Sequence, residues 1–364
     1  MVGPTRYTLP LSPSLRAKFD ALSKRLDVRV LARAGGGPGT DARFALARNA
    51  GALDGPAFYA SLPARVAREL RSFRPGVVLV QGAQETALVL AGRGLARVHA
   101  NVVADVHGDP GSSTRLYGSG ARSALSPLGD ALARFGLRHA DGVRTISGYT
   151  SGLVHDAGVD PVAVFPAFMD LGPFVEAPTV PLPERPRALF VGVLERYKAV
   201  DVLAEAWRQA APRVPDAELR IVGKGPMSGV VESLAADFPG RVSWSASLPI
   251  EGVAAALDDA SALVLPSRSE GLGRVVIEAG CRGRAVVGSR VGGIPDVVAD
   301  GESGILVPPE DAGALADALV RVLSDRELAE RLGTGAHARV QPWLATPEEY
   351  ARRVADLVEK VLSS

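Results

Sequence analysis

The chain has 364 residues, of which 47% are apolar and 22% charged, and its formal net charge is +1. This length suits two domains, and the near-neutral charge argues against a nucleic-acid partner bound by the whole molecule. Cys281 is the one cysteine and the five histidines are scattered, which excludes an intrachain disulfide and a cysteine-based zinc site. The sequence shows neither a secretory leader nor the run of about 18 apolar residues of a membrane helix, so we expect a cytoplasmic protein.

In chain order, short apolar runs that alternate with helical patterns predict the strands of a first α/β domain, residues 1–172. These strands fall at 28–32, 76–81, 101–106, 142–145 and 162–165. Very little chain precedes the segment GPTRYTLPLSPS, so we expect the opening strand to be short or missing, either because that strand is very short or, as we favour, because the chain begins late. Gly-rich stretches at 32–53 and 108–126 are predicted to be long loops, which in a compact domain tend to be functional.

The segment SLPARVARELRSFRPG, residues 61–76, predicts a basic amphipathic helix. It lies in a basic half: residues 1–180 carry 20 Lys and Arg against 14 Asp and Glu, and the rest of the chain carries 21 against 26. Such a helix either buries its apolar stripe on a sheet or lies on anionic lipid. The strand that follows it directly favours the first interpretation. The second interpretation is peripheral contact of this helix with the inner membrane face.

Five prolines in PFVEAPTVPLPERPR indicate an extended linker without regular helix at 173–187. A second domain follows at 188–344, and its predicted strands fall at 187–192, 218–223, 241–244, 262–266, 285–288 and 304–307. The runs are apolar on both faces, as in parallel sheets covered by helices on each side, so both domains are predicted to be Rossmann-like. A last amphipathic helix, within 345–364, is expected to pack back on the first domain.

The segment SEGLGRVVIEAG places Glu270 and Glu278 around a glycine loop that enters a helix near Arg274. Glycines let the backbone approach a ligand, and a helix N-terminus is a ready site for phosphate. The two carboxylates only accept hydrogen bonds, which suits hydroxyl groups on either side of that phosphate. A nucleotide sugar has this layout. The alternative for either glutamate is a residue that stabilises a helix end.

The chain resembles the family-4 retaining glycosyltransferases with the GT-B fold. The similarity extends through LFVGVLERYKAVDVLAEAW, LRIVGKGP and GSRVGGIPDVVADGESGILVPPED, and more loosely through VVADVHGDP in the first half. It implies an α/β architecture of two Rossmann-like domains whose parallel sheets face a cleft. It also implies retaining, metal-independent transfer from a UDP- or GDP-linked sugar to an acceptor that the sequence does not identify: a sugar, a lipid or a small molecule. No cofactor is expected.

The resemblance assigns roles to individual residues. Glu278 is implied to accept hydrogen bonds from the donor ribose, and Glu270 to hold hydroxyls of the transferred sugar. Lys198 is implied to pair with the diphosphate, and His107 to approach the sugar from the first domain when the cleft closes. The backbone N–H groups of the glycine loop are implied to face the sugar and the diphosphate (Gly271, Leu272 and Gly273). A structural loop histidine is the alternative for His107.

The sequence departs from the family pattern at two places. Val193 stands where the family usually has an arginine, and either Arg196 or Arg274 is a candidate to compensate. In place of the Asn-Gly of the family's P-N-G-x-D segment, the chain reads PAFMD, which still ends in Asp170. These changes put the strength of diphosphate binding in question.

Other interpretations remain at this stage. An epimerase or a phosphorylase-like enzyme would use the same scaffold, although a phosphorylase needs more cationic groups than we can place. A nucleotide-sugar-binding protein with weak or lost transferase activity is supported by Val193 alone. A nicotinamide-dependent oxidoreductase is disfavoured because no G-x-G-x-x-G follows an early strand. The sequence also lacks an Asp-x-Asp motif that would carry Mg²⁺ on a diphosphate.

Overall fold

A computed structural model describes residues 1–47, 51, 54–109 and 126–364. The chain divides into two compact units. The first combines Met1–Asp170 with Ala345–Ser364, and the second is Leu171–Leu344. Each unit contains one parallel β-sheet with helices packed on it.

The first unit has a seven-stranded sheet in the order β3-β2-β1-β4-β5-β6-β7. Its strands are β1 (Val2–Thr8), β2 (Val30–Gly36), β3 (Phe44–Ala47), β4 (Val77–Gln81), β5 (Asn101–Val106), β6 (Gly142–Thr145) and β7 (Ala163–Val164). Its helices begin with α1 (Pro13–Ser23), α2 (Asp54–Phe73), α3 (Ala83–Ala96), α4 (Ser126–His139) and α5 (Gly148–Asp156).

The second unit has a six-stranded sheet in the order β10-β9-β8-β11-β12-β13. Its strands are β8 (Arg187–Val191), β9 (Glu218–Val222), β10 (Val242–Ser245), β11 (Ala262–Leu265), β12 (Ala285–Ser289) and β13 (Gly304–Val307). Its helices are α6 (Gly172–Val175), α7 (Val200–Ala210), α8 (Ser228–Asp237), α9 (Ile250–Asp258), α10 (Arg274–Cys281), α11 (Ile294–Val297), α12 (Ala312–Ser324) and α13 (Arg326–Val340). The last helix, α14 (Pro347–Leu362), belongs to the first unit.

Every strand predicted from the sequence is present, but the expectation of a short or missing opening strand is wrong. Strand β1 pairs with β2 on one side and with β4 on the other, so it lies inside the sheet. Gly3 and Pro4 conceal it in the sequence, because both residue types are typical of turns.

The expected long loop at 32–53 is also wrong in part. Strand β2 continues into this stretch as far as Gly36, and Phe44–Ala47 forms β3 at the sheet edge. Glycine-rich composition hides the end of β2, since glycine weakens a strand without forbidding it. The second expected loop, 108–126, lies almost wholly outside the described residues.

Alternate residues of the first sheet pack on opposite faces, as the period of a strand requires. Val30 and Ala32 of β2 are buried in a core with α1 and α14, whereas Leu31 is buried in a core with α2 and α3. Helix α14 contributes Tyr350 and Val354 to the first of these cores. The C-terminal helix is therefore a structural part of the first unit.

The basic helix α2 buries its apolar stripe. Leu62, Val66 and Leu70 are 0–3% exposed in the core of the first unit, and Arg68 and Arg71 are exposed on the opposite side. Packing on the sheet thus accounts for the amphipathic pattern. Among the described residues, no helix combines the length and the apolar character needed to cross a bilayer.

The proline-rich linker is only partly extended. Residues 172–175 form the single helical turn α6, with proline in its first turn, where the missing N–H is no loss. The buried Arg282 then donates to the carbonyls of Phe174, Ala177 and Pro178, at 3.4, 2.7 and 2.9 Å. These bonds fix the start of the linker to the second unit.

Candidate functional site

Two loops of the second unit meet at the carboxyl ends of neighbouring strands. The lysine loop, residues 192–199, follows β8, and the glycine loop, residues 266–273, follows β11. The strand order reverses between β8 and β11, and open α/β sheets bind ligands at such switch points. The candidate site residues Lys198, Glu270 and Glu278 all lie on these loops or on the helix that follows.

The shape of the glycine loop depends on two glycines, one within it and one in the loop that packs against it. Gly273 precedes α10 with a φ of 76°, a left-handed conformation in which a side chain is strained. Gly292, in the next loop, has a φ of 56°, and a Cβ added there would lie 1.9 Å from the carbonyl oxygen of Glu270. That same oxygen accepts a hydrogen bond from the backbone N–H of Gly293 at 3.0 Å. The VGGIP segment therefore holds the glycine loop in place through Glu270.

Lys198 and Glu270 form an ion pair across the two loops. Their side chains are 11% and 10% exposed, so the pair is nearly removed from water. Ser267, which is fully buried, donates its hydroxyl to Glu270 Oε1 at 3.0 Å. The structure thus brings the two predicted residues, Lys198 and Glu270, into contact. Ser267 is an additional residue of the site that the sequence analysis missed.

Arg268 is a second missed residue. Its guanidinium pairs with Asp201 at 2.8 Å and with Glu310 at 2.8 Å, and it donates to the carbonyl of Arg196 at 2.6 Å. Its backbone N–H donates to the carbonyl of Tyr197 at 2.7 Å. Arg268 thereby binds the lysine loop to the glycine loop, although an arginine in a polar segment has no sequence signal for this role.

Glu278 lies one turn into α10 and is 8% exposed. Arg274 Nε donates to its Oε1 at 2.6 Å. Burial raises the pKa of Glu278, and the positive charge and hydrogen bond of Arg274 oppose that rise. The carboxylate is therefore held by a cation whose side chain is half exposed.

The other predicted donor residues differ in their surroundings. Leu272 is 7% exposed, so it is buried within the second unit. Arg196 is exposed, and within the described part of the chain its side chain has no ion-pair partner. Val193 is 48% exposed at the surface of the lysine loop. Of the two arginines that could compensate for Val193, Arg274 pairs with Glu278. Arg196 is therefore the candidate without an ion-pair partner among the described residues.

His107 belongs to the first unit, directly after β5. Its Nε2 lies 2.9 Å from Oδ2 of Asp105, and the other oxygen of Asp105 accepts from the fully buried Arg144. Burial alone would raise the pKa of Asp105, but the charges of His107 and Arg144 outweigh it and lower the pKa to about 2. Arg144, which sequence reasoning also missed, is an isolated charge within an apolar strand.

Among the residues that the structure describes, no three His, Cys, Asp or Glu side chains form a group that could hold a metal ion. The charged atoms of the candidate site are instead arranged as cation–carboxylate pairs around a glycine loop.

Residues 185–325 match the sequence family described as Glycosyl transferases group 1, and residues 3–167 match the Glycosyl transferase 4-like domain. The chain belongs to the family-4 glycosyltransferases. Among its curated relatives, the D-inositol 3-phosphate glycosyltransferase of Corynebacterium diphtheriae is 33% identical over 170 residues, covering 44% of this chain and 40% of the relative. The alpha-D-kanosaminyltransferase of Streptomyces kanamyceticus is 34% identical over 157 residues, covering 43% and 41%. These matches span about two fifths of each relative's length.

Solved structures share the fold of this glycosyltransferase over its full length. Sucrose-phosphate synthase from Thermosynechococcus elongatus superposes with a TM-score of 0.78 at 21% identity, covering 100% of this chain and 98% of the other. HepE of Anabaena, solved in complex with UDP-glucose, gives a TM-score of 0.69 at 17% identity, covering 100% and 98%. The predicted GT-B architecture of two Rossmann-like units is confirmed.

Proposed function

We propose that the chain is a retaining glycosyltransferase that moves a sugar from a UDP- or GDP-linked donor to an acceptor without a metal ion. The observation that carries this proposal is the Lys198–Glu270 pair beside the start of α10, with Glu278 one turn into the same helix. HepE, a structural neighbour, is solved with UDP-glucose, which supports a nucleotide-sugar donor. Membership of the glycosyltransferase family supports the reaction class.

In this proposal the donor exchanges partners with the protein. The diphosphate takes the ammonium of Lys198, and Glu270 is then released to accept hydrogen bonds from the sugar hydroxyls. Lys198 and the N–H groups at the start of α10 stabilise the charge of the departing diphosphate. Glu278 accepts hydrogen bonds from the ribose, and His107 of the first unit contacts the sugar. Arg196 is proposed to supply the charge that Val193 lacks.

Retention of configuration is proposed from the resemblance to the retaining family, although the site does not suit the double displacement by which retaining hydrolases achieve it. The carboxylate of Glu270 is engaged by Lys198 and Ser267, unlike the free nucleophile of retaining hydrolases. We propose that the acceptor oxygen bonds to the anomeric carbon on the same face from which the phosphate leaves, and that the acceptor proton passes to that phosphate. NMR of the anomeric proton of the product tests this, because inversion of the donor configuration would contradict it.

Calorimetric titration of UDP, GDP and ADP tests the donor site. We expect one of them to bind the wild-type chain and to bind Glu278→Ala much more weakly. Glu232→Ala is the matched control, since Glu232 is an exposed glutamate of the same unit, and it should bind as wild type does. Absence of nucleotide binding by the wild-type chain would contradict the proposal.

A second candidate is a nucleotide-sugar-binding protein with lost transferase activity, for which the exposed Val193 is the specific observation. Nucleotide binding without transfer to any member of a broad acceptor panel favours it. Sugar release or epimerisation in the absence of an acceptor favours another GT-B enzyme instead.

We also retain peripheral membrane contact through α2 as a proposal. With its apolar stripe buried, only the exposed arginines are available to anionic lipid. Pelleting with phosphatidylglycerol vesicles tests this, and equal recovery with and without vesicles would contradict it.

A further inference from the structure

A cavity of about 260 Å³ lies on one face of the first sheet, in the same unit as His107. We call it the Lys18 cavity. Its walls come from β1, β2, β4, β5, the segment after β7, and helices α1 and α14. Its lining includes Gln81, the last residue of β4, and His107, directly after β5, at the edge where parallel sheets place their ligands. The donor site on the second unit makes no use of this cavity.

The cavity is lined by hydrogen-bond donors without partners. Four groups share this property: Lys18 Nζ, the hydroxyls of Tyr7 and Tyr350, and Gln81 Nε2. Within the described residues, none of the four makes a hydrogen bond or an ion pair. Tyr350 is only 4% exposed, so its hydroxyl is buried except towards the cavity. Lys18, Tyr7 and Gln81 are partly buried, so all four donors line the cavity and an acceptor from outside the chain can take their hydrogen bonds.

The acceptors that line the cavity are already occupied. One oxygen of Asp105 accepts from Arg144 and the other lies 2.9 Å from His107 Nε2. The side-chain oxygen of Gln81 accepts from the hydroxyl of Thr5 at 2.8 Å. Arg144 balances the charge of Asp105, which leaves the charge of Lys18 uncompensated. The cavity therefore combines surplus donors with a surplus positive charge.

Lys18 is held in place by aromatic rings. Its Nζ lies 4.9 Å from the ring centre of Phe19, 5.3 Å from that of Tyr350 and 5.8 Å from that of Phe168. Ring faces attract a cation, but they do not accept its three hydrogen bonds. Burial lowers the pKa of Lys18 to about 8; Asp105 opposes this and Arg144 adds to it. At neutral pH the amine of Lys18 remains an ammonium, which the rings hold in position and which has no ion-pair partner among the described residues.

We propose that the Lys18 cavity binds an anionic group of the acceptor, a phosphate or a carboxylate. This inference rests on the proposed transferase function, because it is transfer that requires an acceptor. The anion would receive hydrogen bonds from Lys18, Tyr350 and Gln81. The rest of the acceptor would extend past His107, so that its reacting hydroxyl lies outside the cavity mouth. Neutral sugars lack the charge that these groups select.

The pKa of the Lys18 amine, measured from its own NMR signal, tests the proposal. The chain has five lysines, so reductive ¹³C-methylation gives a small set of amine signals, and Lys18→Gln assigns the one of interest. Three probes share one carbon skeleton: glycerol 3-phosphate, glycerate and glycerol. We expect an anionic probe to raise the pKa of Lys18 by about one to three units, and glycerol to leave it unchanged. A response to phosphate or to glycerate alone identifies which anion the cavity takes.

Two variants complete the design. Tyr350→Phe removes one hydroxyl and keeps the ring, so it should weaken the anionic probe even if Lys18→Gln fails to fold. Lys24→Gln, at the exposed end of the same helix, is the matched control and should respond as wild type does. Failure of both anionic probes to move the Lys18 signal would overturn the proposal, as would an equal response to glycerol.

UDP and GDP titrations of the same samples separate this inference from the proposed function. Nucleotide binding without an anion response overturns the cavity proposal and leaves the donor site standing. An anion response without nucleotide binding overturns the transferase function, and with it the cavity's role as an acceptor site.

Discussion

Both units place charged side chains beside a parallel sheet, but they balance those charges differently. In the second unit Lys198 faces Glu270 and Arg274 faces Glu278, so each carboxylate has a cation before any ligand binds. In the first unit Lys18 faces aromatic rings and has no ion-pair partner within the described residues. The ion pairs of the second unit fix the positions of these side chains before a ligand binds, but the pairs must be broken when the ligand becomes the new partner. An unpaired charge costs stability until its ligand arrives.

The largest effect is expected for Lys198→Ala. This change removes the charge proposed for the diphosphate and leaves Glu270 with Ser267 as its remaining partner. Loss of one preorganised group of this kind lowers kcat by about 10²–10³-fold. Steady-state rates with a UDP- or GDP-linked donor measure it. Lys24→Ala is the control, and a rate within a factor of two of wild type would remove Lys198 from the reaction.

Glu278→Gln should weaken nucleotide binding by about 10- to 100-fold, since hydrogen bonds to a charged group contribute about 1.5–3 kcal/mol. In the wild type, affinity should fall when the pH drops through the raised pKa of Glu278, because the protonated carboxyl accepts poorly. The variant should show no such step. Titration calorimetry between pH 4 and 8 measures both, and a parallel pH profile for the two proteins would contradict the assignment.

The stability of Glu278→Gln should change in the opposite direction. The pKa of Glu278 is raised in the fold, so its favourable contribution is full below the unfolded pKa and is lost as the pH rises through the raised value. We therefore expect the variant to be more stable than wild type at pH 7 and equal to it near pH 4. Urea unfolding at the two pH values measures this.

Lys18→Met should stabilise the chain at pH 7. Burial lowers the pKa of Lys18 to about 8 from 10.5, so the cost of its charge is full below pH 8 and fades as the pH rises towards 10.5. We expect a gain of ~2 kcal/mol at pH 7, discounted from the full shift because burial is incomplete. Thermal unfolding at pH 7 and 10 measures it. A gain that is the same at both pH values would show that the charge is not its cause.

The smallest effect is expected for Val193→Arg. The substitution restores the arginine that the family usually has, at a position that is 48% exposed. An exposed charge pair contributes about 0.2–1 kcal/mol, so nucleotide affinity should rise by about two- to fivefold and the gain should shrink with salt. Val180→Arg, at another exposed valine of the same unit, is the control. No change at low salt would show that Arg196 or another group already supplies the charge.

The sequence predicted the parallel sheets, the start of α10 and the residues of the glycine loop, because each depends on neighbours in the chain. Apolar runs locate buried strands, and glycines before a helix locate a phosphate loop. The opening strand was concealed by Gly3 and Pro4, whose local preference is overridden by pairing with β2 and β4.

The supporting residues could not be predicted in this way. Arg268 holds the lysine loop, and Arg144 holds Asp105, through contacts between segments far apart in the sequence. Lys18 and Tyr350 come together only because α1 and α14 pack side by side. A single sequence reveals such pairs only once the fold has placed them.

The position of α14 has a consequence for biosynthesis. The hydrophobic core beneath α1 includes Tyr350, Ala351, Val354, Leu357 and Val361, all from the last helix. A ribosome delivers these residues after the whole second unit, 171–344, has been made. Part of the core of the first unit is therefore missing until the second unit has been translated. This reverses the usual order, in which N-terminal domains fold first. Chaperones that shield the face of β2 and β4 during this interval would protect the core of the first unit until α14 has been translated.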